Sequence, residues 1–488
     1  MTGDIPVLAI MGHPNAGKSS VVATLTENDR IDIDKRAGTT TRSDEYPVII
    51  DGRTILRFID TPGFQNPTDI LEWFQSHQNE IDLAGAFVAA HRDDPLFSHD
   101  RALLEPISQG AGIILVVDGS KRIKEKDRTE MELLRLTGRP RMAVLNNLST
   151  LQKHMPAWQD ALSRTFNSIR EFNAHRATYG ERIRLLQSLK GIDQRWEPQL
   201  EATIESFERD WERRVDQTVT TILTLLKDSL GHKTTRYLKV EEVADDAERE
   251  GIRETMSEAF ENDLRGLEIK AQEQIRAHFH HNVWNLPPDS LLKKDLFSED
   301  VENSLGLNKQ QLILAGAAGG AATGGVIDLG VGGLSFGTGA LIGAVAGGAL
   351  GAYGKAALAK VDIQKKLGIE RFSIGPVTNP RFPFILLDRS ILYCAQAMNW
   401  SHGRKAADED ASTRVPDKPF KKKRGFAEGL SAGDHKALAR FFSAARRGWE
   451  SKHKAHCREI LTRILRDLSE RELDDRMDSP DKAASSSP

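Results

Sequence analysis

A glycine-rich segment near the start of the chain has the residue types and spacing needed to hold phosphate groups. It fits the pattern G-x-x-x-x-G-K-[ST], and its members are Gly12, His13, Pro14, Asn15, Ala16, Gly17, Lys18 and Ser19. The apolar run Pro6–Met11 predicts a strand before it and Ser20–Thr26 predicts a helix after it, which is the context the motif requires. Backbone N–H groups can then converge on a phosphate at the positive end of the helix. Lys18 would lie between the β- and γ-phosphates, and the Ser19 hydroxyl would bind Mg²⁺.

Two further segments supply groups that such a loop needs around its metal ion and third phosphate. Asp60 closes a predicted strand and begins the sequence DTPG, so its carboxylate can reach Mg²⁺ through water while the Gly63 N–H faces the γ-phosphate. Residues 36–42, RAGTTTR, form a predicted polar loop. One of its threonines can complete the Mg²⁺ shell only when a γ-phosphate is present. The pattern therefore predicts loops that respond to the nucleotide.

Length, charge and cysteine content limit the number of domains and the classes of protein that the chain can represent. A chain of 488 residues exceeds one ordinary core, so we expect two or three structural units. The net charge of −3, with 28% charged residues, gives no global sign of a nucleic-acid binder, and no nucleic-acid module is visible. Two cysteines, Cys394 and Cys457, suit a reducing cytosol and exclude a disulfide framework. The first apolar run is short and is interpreted as a strand, not a signal peptide, so we expect a cytoplasmic protein.

Short apolar strands alternate with helical stretches over residues 1–178, which predicts an α/β domain with a mostly parallel sheet. The connection between Phe64 and Gly110 is long and should contain helices of its own. The predicted strands are Pro6–Met11, Glu45–Ile50, Thr54–Ile59, Gly112–Val117, Arg141–Leu145 and Ser168–Phe172.

Beyond this domain the composition becomes helical and charged. We expect a helical domain over 179–308, a Gly/Ala-rich hairpin over 309–358, an α-rich C-terminal domain over 359–475 and a disordered tail over 476–488. One long helix after Pro198 carries an apolar stripe at steps of three or four. The stripe consists of Leu200, Ile204, Phe207, Trp211, Val215, Val219, Ile222 and Leu226.

The Gly/Ala segment, residues 312–354, has two series of glycines four residues apart, with Asp328 between them. Such ladders give helices a smooth face for close packing, and each arm approaches the length that spans a bilayer. One interpretation is membrane insertion or contact at the inner face of the cytoplasmic membrane. The other is a hairpin packed in protein or in an oligomer interface. The ladders are Gly316, Gly320 and Gly324, then Gly339, Gly343, Gly347 and Gly351.

The segments GHPNAGKSS, AGTTTR and DTPG together resemble the Era/TrmE/EngA branch of small bacterial GTPases. With FVAAHRDDP, GAGIILVVDGS and FNAHRATYGERI, the whole chain resembles a poorly characterised bacterial family that joins such a G domain to a C-terminal domain of unknown function. The resemblance implies binding of GTP and GDP with Mg²⁺, and hydrolysis of GTP. It implies no known partner for the rest of the chain.

Carried over residue by residue, the resemblance places the phosphate site on Gly12 to Ser20 and the switch Mg²⁺ ligand on Thr40 or Thr41. The metal ligands would be Ser19, Asp60 and that threonine. Asn15 matches an asparagine that helps to hold K⁺ in potassium-activated relatives; alternatively, it is simply suited to the geometry of the loop. The guanine-reading residues implied by position are Asn146, Asn147, Ser149 and Ala174.

Two positions depart from the pattern of that branch. Ser149 stands where relatives carry the aspartate that accepts both guanine N–H groups, so discrimination should fall by about 1.5–3 kcal/mol. Phe64 stands where fast-switching relatives have the glutamine that orients water, so hydrolysis should be slow. Gln65 and His91 are weak candidates for a replacement, and we favour a structural role for His91. The interpretation is thus a slow GTPase switch, and the alternatives are a nucleotide-binding scaffold of a membrane or oligomer and a ribosome or RNA-processing factor.

Overall fold

The protein combines an α/β part with a helical part that carries its own small sheet. The computed structural model describes residues 5–26, 44–146, 153–173, 179–240, 245–280, 290–307, 311–312, 358–366, 368–398 and 425–470. Thr40, Thr41, Asn147, Ser149, Ala174, and almost all of the Gly/Ala segment lie outside these ranges.

The α/β part is built on a six-stranded sheet in the order β2-β3-β1-β4-β5-β6. Only the pair β2–β3 is antiparallel, and the other neighbours run parallel. The predicted α/β domain with a mostly parallel sheet is therefore confirmed. The strands are β1 (Val7–Met11), β2 (Asp44–Ile50), β3 (Arg53–Asp60), β4 (Gly112–Asp118), β5 (Arg141–Asn146) and β6 (Ser168–Phe172).

Helices cover both faces of this sheet. On one face α2 to α6 pack over Ala9, Ile113 and Leu145. On the other face α1, α7 and the start of α8 pack over Leu8 and Ile114. The connection between Phe64 and Gly110 holds α2, α3 and α4, as its length predicts. These helices are α1 (Lys18–Thr26), α2 (Pro67–Ser76), α3 (Leu83–Ala90), α4 (Ser98–Ser108), α5 (Glu125–Leu136), α6 (Met155–Ser163), α7 (Tyr179–Lys190) and α8 (Glu197–Gly231).

The long helix α8 joins the two parts of the molecule. All eight residues of the predicted apolar stripe are buried. Leu200, Ile204 and Phe207 pack in the core under the six-stranded sheet, whereas the stripe from Trp211 onward packs in the helical core. Helix α7 also packs on the sheet, so hydrophobic contacts continue past the domain boundary predicted at residue 178. The domain boundaries stay a prediction.

The helical part surrounds one helix that is buried along its whole length, α11 (Phe382–Met398). The sequence predicts this part to be α-rich, but it also contains an antiparallel sheet in the order β7-β9-β8. The pairing joins Arg236 of β7 to Phe372 of β9, segments far apart in the sequence. Its other elements are α9 (Asp246–His278), α10 (Glu299–Ser304), α12 (Ala432–Arg446), α13 (Lys454–Glu470), β7 (Thr234–Lys239), β8 (Ala359–Lys366) and β9 (Ile369–Val377).

Within the described ranges, no helix combines the length and the apolar character needed to cross a membrane.

Candidate nucleotide-binding site

The glycine-rich loop lies between the carboxyl end of β1 and the first turn of α1. Gly12 has φ +135°, and a Cβ at this position would come within 2.1 Å of the Val116 carbonyl oxygen, so only glycine fits. Gly17 and Asn15 also have positive φ angles, 92° and 65°. The helix then begins at Lys18, which leaves its first N–H groups open toward the loop.

Lys18 is buried within this loop, with 9% of its surface exposed. Its ammonium group donates to the carbonyl oxygen of Gly12 at 2.9 Å and to that of His13 at 3.3 Å. Burial lowers its pKa, while Asp60 and Glu130 act in the opposite direction. The loop therefore places a buried cation where a phosphate would meet it.

Ser19 and Asp60 form a pair of oxygen donors beside the lysine. The Ser19 hydroxyl donates to Asp60 Oδ2 at 2.7 Å. Burial raises the pKa of Asp60, and the bond from Ser19 and the charge of Lys18 partly offset this rise. The second carboxylate oxygen, Oδ1, is buried and has no hydrogen-bond partner in the described part of the chain. A hydroxyl and an unsatisfied carboxylate oxygen are the hard donors that suit Mg²⁺.

The segment after Asp60 lies directly against the loop. Thr61 is fully buried and its hydroxyl donates to the Ile10 carbonyl at 2.8 Å. A Cβ on Gly63 would meet the Gly12 carbonyl oxygen and Pro14 Cδ, each at 3.3 Å. The backbone of Gly63 is therefore close enough to direct its N–H at a group held by the loop.

Two side chains fix the position of the residues that follow. Asp100, fully buried in α4, accepts from the Gln65 N–H at 2.8 Å and from the Asn66 side-chain amide at 3.0 Å. Lys126 of α5 donates to the Phe64 carbonyl at 3.0 Å, and the Phe64 ring is buried. Sequence reasoning missed both anchors, because one Asp and one Lys without a motif give no signal of their role.

Helix α5 also contacts the glycine-rich loop through His13. Its Nε2 lies 2.7 Å from Asp127 Oδ1 and 3.7 Å from Glu130 Oε1. Glu130 is 3% exposed, and burial raises its pKa to about 7 despite the opposing charges of His13 and Lys126. One helix thus holds both the loop and the segment after Asp60.

Two protein-family models match successive parts of the chain. Residues 159–469 match the model of a family described as a domain of unknown function (DUF3482), which is more than half of the chain. The chain belongs to the DUF3482 family. Residues 7–147 match the model described as 50S ribosome-binding GTPase, so the DUF3482 region follows a P-loop GTPase domain of the Era/MnmE type. The predicted resemblance is confirmed.

Two curated relatives match between a quarter and a third of the chain. GTPase Era of Ureaplasma parvum serovar 3 is 29% identical over 129 residues, covering 25% of this chain and 43% of Era. The tRNA modification GTPase MnmE of Lactobacillus delbrueckii subsp. bulgaricus is 32% identical over 145 residues, covering 30% of this chain and 26% of MnmE. The chain thus spans less than half of these relatives. Era in complex with MgGDPNP and 16S ribosomal RNA aligns at 17% identity and TM-score 0.28, covering 42% of this chain and 57% of that one.

The structure of this DUF3482 protein places only part of the base-recognition set. Asn146 is fully buried at the end of β5, and its side-chain amide donates to the Ala16 carbonyl at 2.9 Å, so it holds the loop. Asn147, Ser149 and Ala174 lie outside the described residues. Their assignment to the guanine site stays a prediction.

The structure of the DUF3482 protein describes the environments of Gln65 and His91, the two weak candidates for positioning the attacking water. The Gln65 side chain is exposed. The His91 ring stacks on Phe87 with centroids 4.2 Å apart and its Nδ1 lies 3.0 Å from the Phe87 carbonyl, which fits the structural role that we favour. His453, His456 and Cys457 lie close together in the sequence and are residue types that bind metals, but Cys457 is buried in the helical core. No group of three metal-ligating side chains occurs among the described residues.

Replacement of Glu130 by glutamine should change how the stability of the nucleotide-free protein depends on pH. The pKa of Glu130 is raised above its unfolded value of 4.5, so the stability that it contributes is present below about pH 4.5 and is lost as the pH rises through about 7. A shift of this size corresponds to about 3 kcal/mol. Urea unfolding at pH 5 and 8 should find Glu130→Gln more stable relative to wild type at pH 8 than at pH 5. An equal difference at both values would contradict the assignment.

Proposed function

We propose that this chain is a Mg²⁺-dependent GTPase that acts as a slow molecular switch. The observation that carries the proposal is the pair Ser19 and Asp60 beside the buried Lys18, with one carboxylate oxygen left without a partner. Ser19, Asp60 and Thr40 or Thr41 would hold Mg²⁺. When bound, the ion would offset negative charge on the phosphates. Lys18 and the N–H groups of Gly12 to Ser20 would bind the phosphates themselves.

Slow turnover follows from the side chain after Gly63. Phe64 is 5% exposed and packs in the core under the sheet, so it cannot orient an attacking water. The water must be positioned by another group, for which Gln65, or K⁺ held beside Asn15, is a candidate. Asn15 is exposed with φ 65°, a geometry that suits either interpretation of this residue. The same burial of Phe64 favours the second candidate function, a nucleotide-binding scaffold with little turnover.

If Asp60 helps to bind Mg²⁺, its replacement should make nucleotide binding less dependent on Mg²⁺. Wild-type protein should bind a fluorescent GTP analogue at least about tenfold more tightly with Mg²⁺ than with EDTA, and Asp60→Asn should lose most of this difference, because an amide is a weaker ligand than a carboxylate. Asp69→Asn, at an exposed position in α2, is the matched control and should behave as wild type. Equal tightening of Asp60→Asn by Mg²⁺ would refute the role of Asp60.

The switch would act on the rest of the chain through α8. Strand β2 follows the polar loop 36–42 in sequence, and the β2–β3 hairpin lies against this helix. Asp51, in the turn between the two strands, pairs with Arg213 at 2.8 Å, and the Ile55 carbonyl of β3 accepts from Thr203 at 3.3 Å. The far half of α8 packs in the helical core. A nucleotide-dependent shift of β2 and β3 would therefore move an element that both cores share.

This coupling predicts a difference in hydrogen exchange along α8. The rate of backbone hydrogen exchange over residues 200–231 should differ between protein bound to a non-hydrolysable GTP analogue and protein bound to GDP. Arg213→Ala should reduce this difference in exchange by about half or more. Arg209→Ala, whose side chain is 72% exposed on the same helix, is the control. Identical exchange in all nucleotide states would refute the coupling, as would unchanged membrane pelleting and oligomer size.

The proposed location is the cytoplasm, with membrane contact or self-association through 312–354. Glycine ladders and the lack of charge apart from Asp328 support a packing segment of this kind. The RNA-processing alternative has weaker support, because the net charge of the chain is −3.

A further inference from the structure

A row of basic side chains follows one exposed face of α12 and continues into the turn before α13. Lys436, Arg440 and Arg447 are exposed and follow at steps of four and seven, so they share a helical face. At about 1.5 Å per residue, the row on the helix is about 17 Å long. Lys452 and His453 follow it in the turn. We call these five residues the α12 basic row.

No carboxylate among the described residues pairs with the lysine and arginine side chains of this row. Across the described ranges, Lys436, Arg440, Arg447 and Lys452 form no ion pair, whereas nearby Glu450 is paired with Lys227 at 2.9 Å. Partial burial lowers the pKa of His453, and the charges of Arg440, Lys452 and His456 lower it further. The four lysine and arginine side chains of the row therefore form a line of positive charge that faces solvent, to which His453 adds a polar ring.

An exposed tryptophan lies within the row, between Arg447 and Lys452 in sequence. Trp449 is 61% exposed, whereas most large apolar side chains in the described part of the chain are buried. The guanidinium carbon of Arg447 lies 4.6 Å from the centroid of the Trp449 ring. This pair offers a flat aromatic surface beside a cation, the combination on which an unpaired base stacks.

We propose that the α12 basic row and Trp449 bind single-stranded nucleic acid. The phosphate backbone would follow the cations, and one base would stack on the tryptophan. A lipid surface fits less well, because the apolar residues of α12, among them Leu438, Phe441 and Phe442, are buried in the helical core. The helix thus has no apolar face to insert into a bilayer.

The test is fluorescence anisotropy of the full chain with a labelled oligouridine of about 20 nucleotides. Binding should weaken as salt rises, and Arg440→Glu combined with Arg447→Glu should weaken it at least about tenfold and reduce the salt slope by about 1.4, at about 0.7 for each lost contact. Trp449→Ala should weaken it about tenfold, whereas Trp449→Phe should retain most of the affinity.

A matched control carries the same change of charge elsewhere. Arg164 and Arg209 are 73% and 72% exposed, and their double replacement by Glu should leave RNA affinity within about twofold of wild type. Equal weakening by both double variants would overturn the proposal, as would RNA binding that none of the variants changes. Equally tight binding of a hairpin duplex of the same length would refute the preference for single strands. Binding of phosphatidylserine vesicles through Arg440 and Arg447, without binding of the oligonucleotide, would assign the surface to lipid instead.

Discussion

The variant Lys18→Ala should bind GTP at least about a hundredfold more weakly than wild type. The ammonium group is buried and donates to two loop carbonyls, and a bound nucleotide would exchange these for charge-assisted contacts with two phosphates. Each such contact contributes about 1.5–3 kcal/mol, so their joint loss of about 3–6 kcal/mol exceeds two decades in affinity. Isothermal titration with GTP and with a non-hydrolysable analogue measures the change.

Lys190→Ala is the control for this result. Lys190 lies in α7 and pairs with Glu201 at 3.0 Å, so its removal changes the net charge equally without touching the loop. The control should bind GTP within about twofold of wild type. If Lys18→Ala retained the affinity of the control, the loop would not be the phosphate site.

The second large effect concerns the stability of the helical part. The buried guanidinium of Arg389 donates to Glu268 at 2.6 and 3.2 Å and to the Leu291 carbonyl at 2.9 Å. Arg389→Met would leave the buried Glu268 carboxylate without a counter-charge. The free energy of unfolding should fall by about 3–5 kcal/mol, measured by urea titration followed by circular dichroism.

Two further variants test whether the lost stability comes from the unpaired buried charge or from a nonspecific effect of replacing an arginine. Arg389→Met combined with Glu268→Leu leaves no unpaired buried charge, so it should recover most of the lost stability. Arg164→Met removes a pair with Asp160 in which both side chains are more than two-thirds exposed, and should change stability by no more than about 0.5 kcal/mol. A double variant no more stable than Arg389→Met would refute the assigned cause.

Local patterns predicted the α/β part well. The strands β1 to β6 appear where short apolar runs end in turn residues, and the glycine-rich loop appears between β1 and α1. These features depend on neighbours in sequence, since a strand–loop–helix motif and a run of buried residues need no knowledge of distant partners. The stripe on α8 was predictable for the same reason, although its division between two cores was not.

The small sheet of the helical part could not be predicted in this way. Its pairs join residues such as Arg236 and Phe372, and a strand of this length gains most of its stability from such distant partners. The charged residues at the end of β8 also hide its alternating pattern. The prediction of an α-rich region did not include this sheet.

The sequence predicted only those residues of the candidate site that belong to a recognised motif. Lys18, Ser19 and Asp60 follow from their motifs, and the structure brings them together. Asp100 and Lys126 give no signal in sequence because their roles depend on how α4 and α5 fold back on the segment after Gly63. The α12 basic row was hidden because its members become one surface only when the opposite face of the helix is buried.

The most direct test of the proposed function is phosphate release by the purified full chain with GTP or ATP, in K⁺ and in Na⁺ buffer. The account predicts slow, Mg²⁺-dependent release from GTP in preference to ATP, and stimulation by K⁺ would assign Asn15 to a potassium site. Equal release from both nucleotides, or no release from GTP despite tight binding, would contradict a GTPase switch and would favour the nucleotide-binding scaffold.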